Sequence, residues 1–353
     1  MQAGTPRTTR VSAGAFLAIG FLAIAATCAQ AQADRPASDP YPARRVTFAG
    51  GVTGLPDVTY ATLVGYRPLK LDLYLPDAAG KPAPLIIFVH GGGWTGGTQR
   101  LAGTFQNWPA ELAKLAARGY VVASVTYRLS GEAPFPAAVQ DVKTAVRWLR
   151  ANRQAYGIDG DRVLIWGASA GGQLAALVAT SCGVAALEPP APPPAPAGAP
   201  AGDRALPDGS DCVQGAITWY PVTDFETLDT QALPLARTVN DDPQSASSRY
   251  LGRQLNRRPA GLARAASPVT YVDAGDPPFL LLHGAQDKVV PPGQSLELHD
   301  RLRASGVQAR LVMIPGVDHS FSTSPDRQAQ VNAEVMDEVA AFIDATIGPG
   351  APR

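Results

Sequence analysis

The chain has 353 residues, of which 46% are hydrophobic and 17% are charged, so it holds enough apolar material for a large globular core. Its 30 basic residues balance 30 acidic ones. It therefore lacks the excess of positive charge with which nucleic-acid-binding proteins neutralise phosphates, and nucleic acid is excluded as an expected partner.

The N-terminal segment predicts export. Two arginines precede an apolar run over about 11–26, and small residues follow it. This order is typical of a secretory signal peptide, here with a cleavage site near Ala31 or Ala33. A membrane anchor is disfavoured because the run is shorter than the roughly 20 residues that span a bilayer. We predict a signal peptide at 1–33, a disordered linker at 34–43, and a periplasmic or extracellular protein without a stable membrane anchor.

Strand-like segments come next, and their character changes along the chain. Residues 69–75 alternate apolar and other side chains, which predicts a strand with one buried face at an antiparallel opening. Further strands are predicted at 85–89, 121–125, 163–166, 213–219, 279–282 and 310–314. Most of these are continuous apolar runs, typical of strands that helices cover on both faces in a parallel sheet.

Helical patterns alternate with these strands. They fall at 110–118, 135–153, 294–305 and 329–347. Two apolar stripes stand out: Val139, Val142, Val146 and Leu149 in the second helix, and Val331, Val335, Val339 and Phe342 in the last. We predict an α/β domain over 44–348 with a doubly wound, mostly parallel central sheet, flanking helices and an antiparallel N-terminal edge.

Two segments interrupt this alternation. Residues 188–211 are rich in proline and alanine, and proline cannot donate the backbone hydrogen bonds of a helix or sheet. We predict a surface insertion there. Residues 225–266 lack a sustained strand or helix period, and connections of this length often serve as lids or binding loops. We predict a lid or binding region for them.

Two cysteines flank the proline-rich insertion. Cys182 and Cys212 remain after the predicted cleavage, whereas Cys28 leaves with the signal peptide. A pair of cysteines in an oxidising compartment is expected to form a disulfide. The alternative is two free buried thiols, since cysteine also packs as a small hydrophobic residue.

The strongest chemical signal is the sequence GASAGG at 167–172, which follows an apolar strand and opens a helix of small residues. This is the strand, turn and helix that a Gly-x-Ser-x-Gly motif requires to expose a nucleophile. The glycines allow a tight turn that larger side chains would block. Ser169 is the predicted nucleophile, and a structural glycine-rich turn is the alternative.

An earlier glycine run fits the same chemistry. The sequence HGGGW at 90–94 follows the apolar strand 85–89, and glycines let backbone N–H groups approach a ligand closely. We predict an oxyanion hole formed by the amides of Gly92, Gly93 and Ala170. A flexible loop or a phosphate cradle is the alternative, but no Lys-Ser/Thr follows, as a P-loop would require.

A serine nucleophile needs a base, and the chain has four histidines. His90 belongs to the glycine loop, His299 lies inside a predicted helix and His283 ends a strand. His319 lies in a glycine-containing loop after the strand 310–314, at the sheet edge where ligands bind. We predict His319 as the general base, with a surface loop histidine as the alternative.

The predicted acid is Asp287, which follows the strand 279–282. It gives the chain order Ser169, Asp287, His319 that an α/β hydrolase requires. Its role is to hold the imidazole tautomer and to stabilise the imidazolium. Asp318 is the nearest rival, but adjacent residues seldom point their side chains at each other well enough to hold a ring.

Taken together, these motifs resemble the bacterial feruloyl-esterase-type and hormone-sensitive-lipase-like carboxylesterases of the α/β-hydrolase superfamily. The resemblance rests on HGGGW at 90–94, YRLS at 127–130, FPAA at 135–138, the helix 141–149 and the serine motif, with the Asp287 and His319 loops. It covers about 44–347, and the insertion at 188–211 departs from it. It implies carboxylic ester hydrolysis through an acyl-enzyme, with no metal and no cofactor.

Several aromatic residues lie beside the loops that form the predicted site. They are candidate substrate-binding residues and equally candidates for the core: Trp94, Tyr127, Tyr220, Phe225 and Phe321. We expect a small-molecule or polysaccharide-linked ester as substrate, and no oligomeric state is predicted. A peptidase or acyltransferase on the same fold is the alternative. A non-catalytic binding protein is disfavoured by the complete triad.

Overall fold

The computed structural model describes residues 1–2, 44–77, 81–190, 209–255 and 261–348. Apart from residues 1–2, the predicted signal peptide and linker lie outside the described residues, as does most of the proline-rich insertion. From Arg45 onwards the chain forms one compact unit.

A sheet of nine strands runs through the described part of this unit. Its strands are β1 (Val46–Thr47), β2 (Thr53–Ala61), β3 (Leu69–Leu75), β4 (Ala83–Val89), β5 (Val121–Val125), β6 (Ile158–Ala168), β7 (Gly215–Trp219), β8 (Phe279–Gly284) and β9 (Ala309–Ile314). Their spatial order is β1-β2-β3-β5-β4-β6-β7-β8-β9. The pairs β1–β2, β2–β3 and β3–β5 are antiparallel, and all later pairs are parallel. The predicted fold class, with its antiparallel N-terminal edge, is confirmed.

The strand pattern explains where the core lies. All seven residues of β4 are buried, and alternate ones face opposite layers: Leu85, Ile87 and Val89 on one side, Ile86 and Phe88 on the other. Burying one such side chain contributes roughly 1.5–3 kcal/mol, so a strand apolar on both faces is stable only with helices on both.

Helices supply those two layers. The described ones are α1 (Trp108–Ala117), α2 (Ala137–Ala151), α3 (Arg153–Tyr156), α4 (Ala170–Thr180), α5 (Ala246–Tyr250), α6 (Leu262–Ala266), α7 (Gly293–Ala304) and α8 (Pro325–Ile347), with four short 3-10 turns at Ala49–Gly51, Ala185–Leu187, Pro268–Thr270 and His319–Phe321. Helices α2 and α4 pack in one core layer, and α1 and α8 in the other. Within the described residues no helix combines the length and apolarity needed to cross a membrane.

The residues of the two predicted apolar stripes are buried, with one exception. All four residues of the α2 stripe are fully buried. In α8 the stripe continues from Val339 to Ile343 and Ile347, whereas Phe342 is only partly buried. A step of four residues keeps the stripe in line after Val339, and a step of three turns Phe342 toward the edge of the layer.

The N-terminal hairpin was not predicted, and its sequence explains why. Strand β2 contains Gly54, Pro56 and Asp57, all unfavourable in strands. Asp57 has a φ of 59°, and the register with β3 shifts between Leu55 and Val58. Pro56 and Asp57 lie in this register shift, and β1 pairs only with Thr53 and Gly54, so the proline removes no ladder hydrogen bond.

The disulfide between Cys182 and Cys212 is present, with Cα atoms 5.0 Å apart across a separation of 30 residues. Ion pairs with one lysine also connect the two ends of the insertion. The Lys143 side chain, fully buried on α2, places Nζ 3.0 Å from Glu188 Oε1 and 2.9 Å from Asp211 Oδ1. Asp211 is 2% exposed. Gly209 and Ser210 are exposed, whereas Asp211, the last residue of the predicted insertion, is buried because it provides a counter-charge to the buried lysine. The prediction of a surface insertion over 188–211 stays a prediction.

Candidate active site

The parallel strands bring the predicted catalytic side chains to one edge of the sheet. Ser169 follows β6, Asp287 lies just after β8 and His319 lies just after β9. Carboxyl ends of neighbouring parallel strands meet at the same edge. His319 Nε2 lies 3.1 Å from Ser169 Oγ, and His319 Nδ1 lies 2.7 Å from Asp287 Oδ2. The three side chains thus form one hydrogen-bonded chain from hydroxyl to carboxylate.

The serine stands on a strained turn that its glycines make possible. Ser169 has a φ of 55°, a conformation rare for residues with a side chain. A Cβ on Gly167 would lie 2.0 Å from Gly171 O, and a Cβ on Gly171 would lie 2.1 Å from Val89 O. Only glycine allows these approaches. The turn is held by the Ser169 N–H, which donates to Trp219 O at 2.8 Å.

The Asp287 carboxylate is fully buried and accepts hydrogen bonds on both oxygens. Oδ1 accepts from the N–H groups of Val289 at 2.8 Å and Val290 at 2.9 Å. Oδ2 faces His319 and, at 3.3 Å, Nε2 of His283. Burial opposes ionisation, but the hydrogen bonds and charge of the two histidines outweigh it and lower the pKa of Asp287 well below its usual range. The group is therefore an anion at neutral pH.

Asp318, the rival acid, makes a different set of contacts. Its Oδ1 accepts from the backbone N–H of His319 at 2.7 Å and of Lys288 at 3.0 Å, and from Arg237 Nη2 at 2.9 Å. These bonds join the two site loops to the 225–266 segment. The donors to this carboxylate oxygen are two backbone N–H groups and a guanidinium, not the His319 imidazole.

The glycine loop lies against the serine turn. A Cβ on Gly91 would lie 2.8 Å from Ala168 O and 3.3 Å from Ser169 Cβ. Gly92 and Gly93 have φ values of 114° and 59°. Ala170 is the first residue of α4, where N–H groups have no intrahelical acceptor. The glycine loop thus lies next to the serine turn, and the assignment of Gly92, Gly93 and Ala170 to an oxyanion hole stays a prediction.

His90 supports this loop. Its buried ring stacks on Tyr127 with centroids 4.5 Å apart, and its Nδ1 lies 2.7 Å from Gly91 O. Burial lowers the pKa of His90 to about 4, so the ring is neutral and Nδ1–H donates to Gly91. A Cβ on Gly97 would lie 2.5 Å from that Nδ1. His90 therefore holds the shape of the glycine loop.

The candidate substrate-binding aromatics are buried, and their role in substrate binding stays a prediction. Trp94, Tyr127, Tyr220, Phe225 and Phe321 are each at most 2% exposed, so none offers open surface to a ligand. They pack instead behind the site: the Tyr220 ring lies 4.7 Å from the His319 ring and 4.7 Å from Phe321. The sequence could not distinguish residues that line a substrate pocket from residues that pack behind the site, because both are large apolar rings next to loops.

Three supporting residues escaped the sequence analysis. Gln173, fully buried on α4, accepts from Trp94 Nε1 at 3.0 Å and donates to Ala266 O at 2.8 Å. Tyr250 stacks on Trp94 with centroids 4.4 Å apart. His283, which ends β8, approaches the Asp287 carboxylate. The one available signal was a polar side chain inside an otherwise apolar element, as Gln173 and His283 are.

In its described part, the 225–266 segment contains two five-residue helices, α5 and α6. Arg237 N–H donates to Lys288 O at 2.7 Å, and Thr238 Oγ1 donates to Val289 O at 2.8 Å. The segment is thereby tied to the loop that carries Asp287. Its role as a lid or binding region stays a prediction.

Chemically, the arrangement is suited to remove a proton from an alcohol at an exposed strand end. The carboxylate fixes the imidazole with Nδ1 protonated, which leaves the Nε2 lone pair facing Ser169 Oγ. Across the described ranges, no group of three or more histidine, cysteine, aspartate or glutamate side chains is arranged to hold a metal ion.

The chain is similar to known esterases. A family model described as BD-FAE matches residues 71–302. Esterase LipC of Mycobacterium tuberculosis is 35% identical over 247 residues, which are 69% of this chain and 55% of that protein. Esterase LipQ of the same organism is 32% identical over 81% of this chain and 62% of its own. The chain thus spans about three fifths of the length of these curated relatives.

Solved structures are similar over a comparable range. A bifunctional GH43-CE protein of Bacteroides eggerthii has a TM-score of 0.66 at 26% identity, covering 84% of this chain and 35% of that one. A thermophilic esterase of Thermogutta terrifontis, in its butyrate-bound form, has a TM-score of 0.59 at 26% identity over 84% of this chain and 96% of its own. The family model covers more than half of the chain, on an α/β-hydrolase fold whose serine motif, acid and histidine loops meet at one sheet edge. The chain therefore belongs to the BD-FAE family of α/β hydrolases.

Proposed function

We propose that this protein is an exported serine carboxylesterase that uses Ser169 as nucleophile, His319 as general base and Asp287 as the orienting acid. The observation that carries the proposal is the hydrogen-bonded chain of the three side chains, with 3.1 Å between Nε2 and Oγ and 2.7 Å between Nδ1 and Oδ2. These distances lie within the reach that general-base activation of a hydroxyl requires. The names of the relatives, esterases LipC and LipQ, support the same activity.

In the acylation step Ser169 Oγ attacks the ester carbonyl carbon while His319 Nε2 takes the hydroxyl proton. The tetrahedral intermediate then expels the alcohol, which receives that proton from the imidazolium. Water attacks the acyl-enzyme by the same route in reverse and releases the carboxylic acid. Asp287 stays ionised throughout, because its low pKa leaves the proton on the imidazole.

The oxyanion of the intermediate is proposed to accept hydrogen bonds from the amides of Gly92, Gly93 and Ala170. Each such donor contributes about 2.7–4 kcal/mol to the transition state in other serine hydrolases. The start of α4 adds a favourable potential, because the helix dipole is positive there. The strained φ of Ser169 supports this assignment, since such a turn is typical of the nucleophile motif in which the N–H after the serine serves the oxyanion.

We propose short-chain carboxylic esters, free or linked to a carbohydrate, as the substrate class. Two relatives point to it: the Thermogutta terrifontis esterase binds butyrate, and the Bacteroides eggerthii protein is titled a GH43-CE protein. A panel of p-nitrophenyl esters of increasing chain length, methyl ferulate and acetylated xylan will rank the acyl and leaving groups. A preference for aminoacyl p-nitroanilides over all of these esters would point to a peptidase and contradict the assignment.

Export is supported by the disulfide, since such bonds persist in oxidising compartments. Expression of the full chain in a bacterial host should yield a periplasmic or secreted form whose N-terminus, read by intact mass, is Gln32 or Asp34. A variant that begins at Asp34 should stay in the cytoplasm. Recovery of the full chain from the cytoplasm with its N-terminal segment uncleaved would count against export.

The test of the triad is Ser169→Ala assayed with p-nitrophenyl acetate. Removing the nucleophile of such a triad lowers kcat roughly 10⁶-fold. The far-UV spectrum and melting temperature should stay close to wild type, because the side chain is small and lies at a loop. Ser305→Ala, at the end of α7 and outside the site, is the matched control. Turnover by Ser169→Ala above one tenth of wild type would refute the assignment.

A further inference from the structure

His283 lies directly behind the Asp287 carboxylate, at the end of β8. Its ring is fully buried, and both of its nitrogens have partners. Nδ1 lies 2.7 Å from Ser295 Oγ on α7. Nε2 lies 3.0 Å from Val290 O and 3.3 Å from Asp287 Oδ2. The ring thus bridges a helix, the acid loop and the acid itself.

The partners of the ring define its tautomer. Val290 O is a carbonyl oxygen and Asp287 Oδ2 belongs to an ionised carboxylate, so both can only accept hydrogen bonds. Nε2 must therefore carry the proton that it shares between them. Nδ1 faces the Ser295 hydroxyl, which lies 2.7 Å away and is able to donate or to accept. This arrangement satisfies every polar atom of a ring that has no access to water.

The same carboxylate oxygen receives the proposed catalytic base. Asp287 Oδ2 accepts from His319 Nδ1 at 2.7 Å on one side and faces His283 Nε2 at 3.3 Å on the other. Oδ1 is occupied by the amides of Val289 and Val290. Among the contacts of the described residues, His283 is thus the one side chain other than His319 whose ring nitrogen faces this carboxylate, while the same nitrogen also lies 3.0 Å from Val290 O.

We infer that His283 is a positioning residue for the hydrolytic reaction, which orients the Asp287 carboxylate and limits how strongly that carboxylate holds the His319 imidazolium. The inference rests on the proposed function. A donor on the shared oxygen withdraws electron density from the bond to His319 and fixes the plane of the carboxylate. Without it the carboxylate would be freer to rotate and would stabilise the protonated imidazole more strongly.

Other charged and titratable groups around this pair are few. Tyr220 reaches it from the end of β7, and its burial and the nearby Asp287 charge raise its pKa to an extent that keeps it neutral. Lys288 and Asp318 flank the two loops, and Arg237 pairs with Asp318 from the 225–266 segment. These groups stay unchanged in variants of His283, so a shift of the pH profile reports on the donor itself.

The experiment compares two amide replacements that each keep one nitrogen of the ring. His283→Gln places an N–H near the position of Nε2 and retains the donor to Asp287. His283→Asn reaches only the position of Nδ1, so it retains the contact with Ser295 and loses the donor. Both side chains are polar and smaller than histidine, so the cost of burial is similar. His299→Gln on the exposed face of α7 is the matched control.

With p-nitrophenyl acetate, His283→Asn should lower kcat about tenfold with KM within twofold, and the acid limb of kcat/KM against pH should move to higher pH. His283→Gln should keep kcat within threefold of wild type and the acid limb in place. The low-field proton resonance of His319 Nδ1–H should move in the Asn variant and not in the Gln variant. This readout does not depend on turnover.

Equal losses in both variants, in proportion to their losses in melting temperature and with an unmoved acid limb, would overturn the inference and leave only a packing role. The proposed function fails separately. If the wild-type protein turns over no ester, or Ser169→Ala retains turnover, the hydrolase assignment is lost. An active wild type with identical Asn and Gln variants defeats the role of His283 alone.

Discussion

Replacing Asp287 with asparagine separates the proposed acid from its rival, and the structure explains the size of the effect. The buried carboxylate accepts two amide donors on Oδ1 and two histidine donors on Oδ2. An asparagine amide presents one oxygen and one NH₂ group. Whichever way it is turned, the NH₂ faces two N–H donors, and buried donors left without an acceptor cost about 1–3 kcal/mol each.

Backbone N–H groups have no other tautomer, so the asparagine oxygen is expected to stay with Val289 and Val290 and its NH₂ group to face the histidines. The His319 imidazole must then lose its orientation or change tautomer. In either case the Nε2 lone pair no longer faces Ser169 Oγ. The corresponding change in other serine hydrolases lowers kcat about 10⁴-fold, and we expect a loss of that order with p-nitrophenyl acetate. The free energy of unfolding should fall by about 2–4 kcal/mol, from two unsatisfied donors partly relieved by rearrangement.

Asp318→Asn provides the comparison. All three bonds of Asp318 fall on Oδ1, so an asparagine with its oxygen in that position keeps them. Its kcat should fall less than tenfold, and Asp300→Asn on exposed α7 should leave kcat unchanged. The reasoning fails if Asp318→Asn loses more activity than Asp287→Asn, or if Asp287→Asn retains a tenth of wild-type kcat.

Three further results are expected. The pKa of Asp287 is lower in the folded than in the unfolded chain, so its ionisation stabilises the fold above about pH 4. Wild type and Asp287→Asn should therefore differ less in free energy of unfolding as the pH falls below about 4. Urea denaturation at each pH measures this difference. A Cβ at Gly171 would lie 2.1 Å from Val89 O, so Gly171→Ala should lower the free energy of unfolding by about 3 kcal/mol and abolish turnover. Gly131 has no atom within 4 Å of its Cβ position, so Gly131→Ala should leave the melting temperature and turnover nearly unchanged. Lys143→Met strips a buried lysine from two carboxylates and should lower the free energy of unfolding by about 3–5 kcal/mol; a loss under 1 kcal/mol would contradict its role in joining the ends of the insertion.

The disulfide and the Lys143 cluster together explain how the fold tolerates a long insertion. Cys182 and Cys212 close the segment covalently, and Lys143 binds a carboxylate from each of its ends. Lys143 lies on α2, and Cys182 follows α4, the helix that begins directly after Ser169. The ends of the insertion are therefore held without displacing the turn that carries Ser169, the proposed nucleophile.

The fold class and the identity of the three central residues were predictable from local signals. Apolar runs with both faces hydrophobic specify buried parallel strands, because no exposed strand tolerates them. A glycine-serine-glycine turn between such a strand and a helix has few other uses. Chain order and elimination among four histidines then indicated Asp287 and His319, which the structure brings within hydrogen-bonding distance of one another.

What surrounds these residues was decided only by tertiary packing. Whether Tyr127 and Tyr220 face a ligand or the core depends on what lies on each side of the ring, and the period of the sequence carries no such information. Three features depend on contacts between segments that local patterns treat separately, so those patterns do not reveal them. They are the contact of His283 with Asp287, the hydrogen bonds of Asp318 and the burial of Asp211. The sequence by itself determined the order of the elements and the chemistry at their ends, because these follow from short-range sterics and hydrophobic period. The support of the site emerged only from the folded chain, because it depends on contacts between residues far apart in sequence.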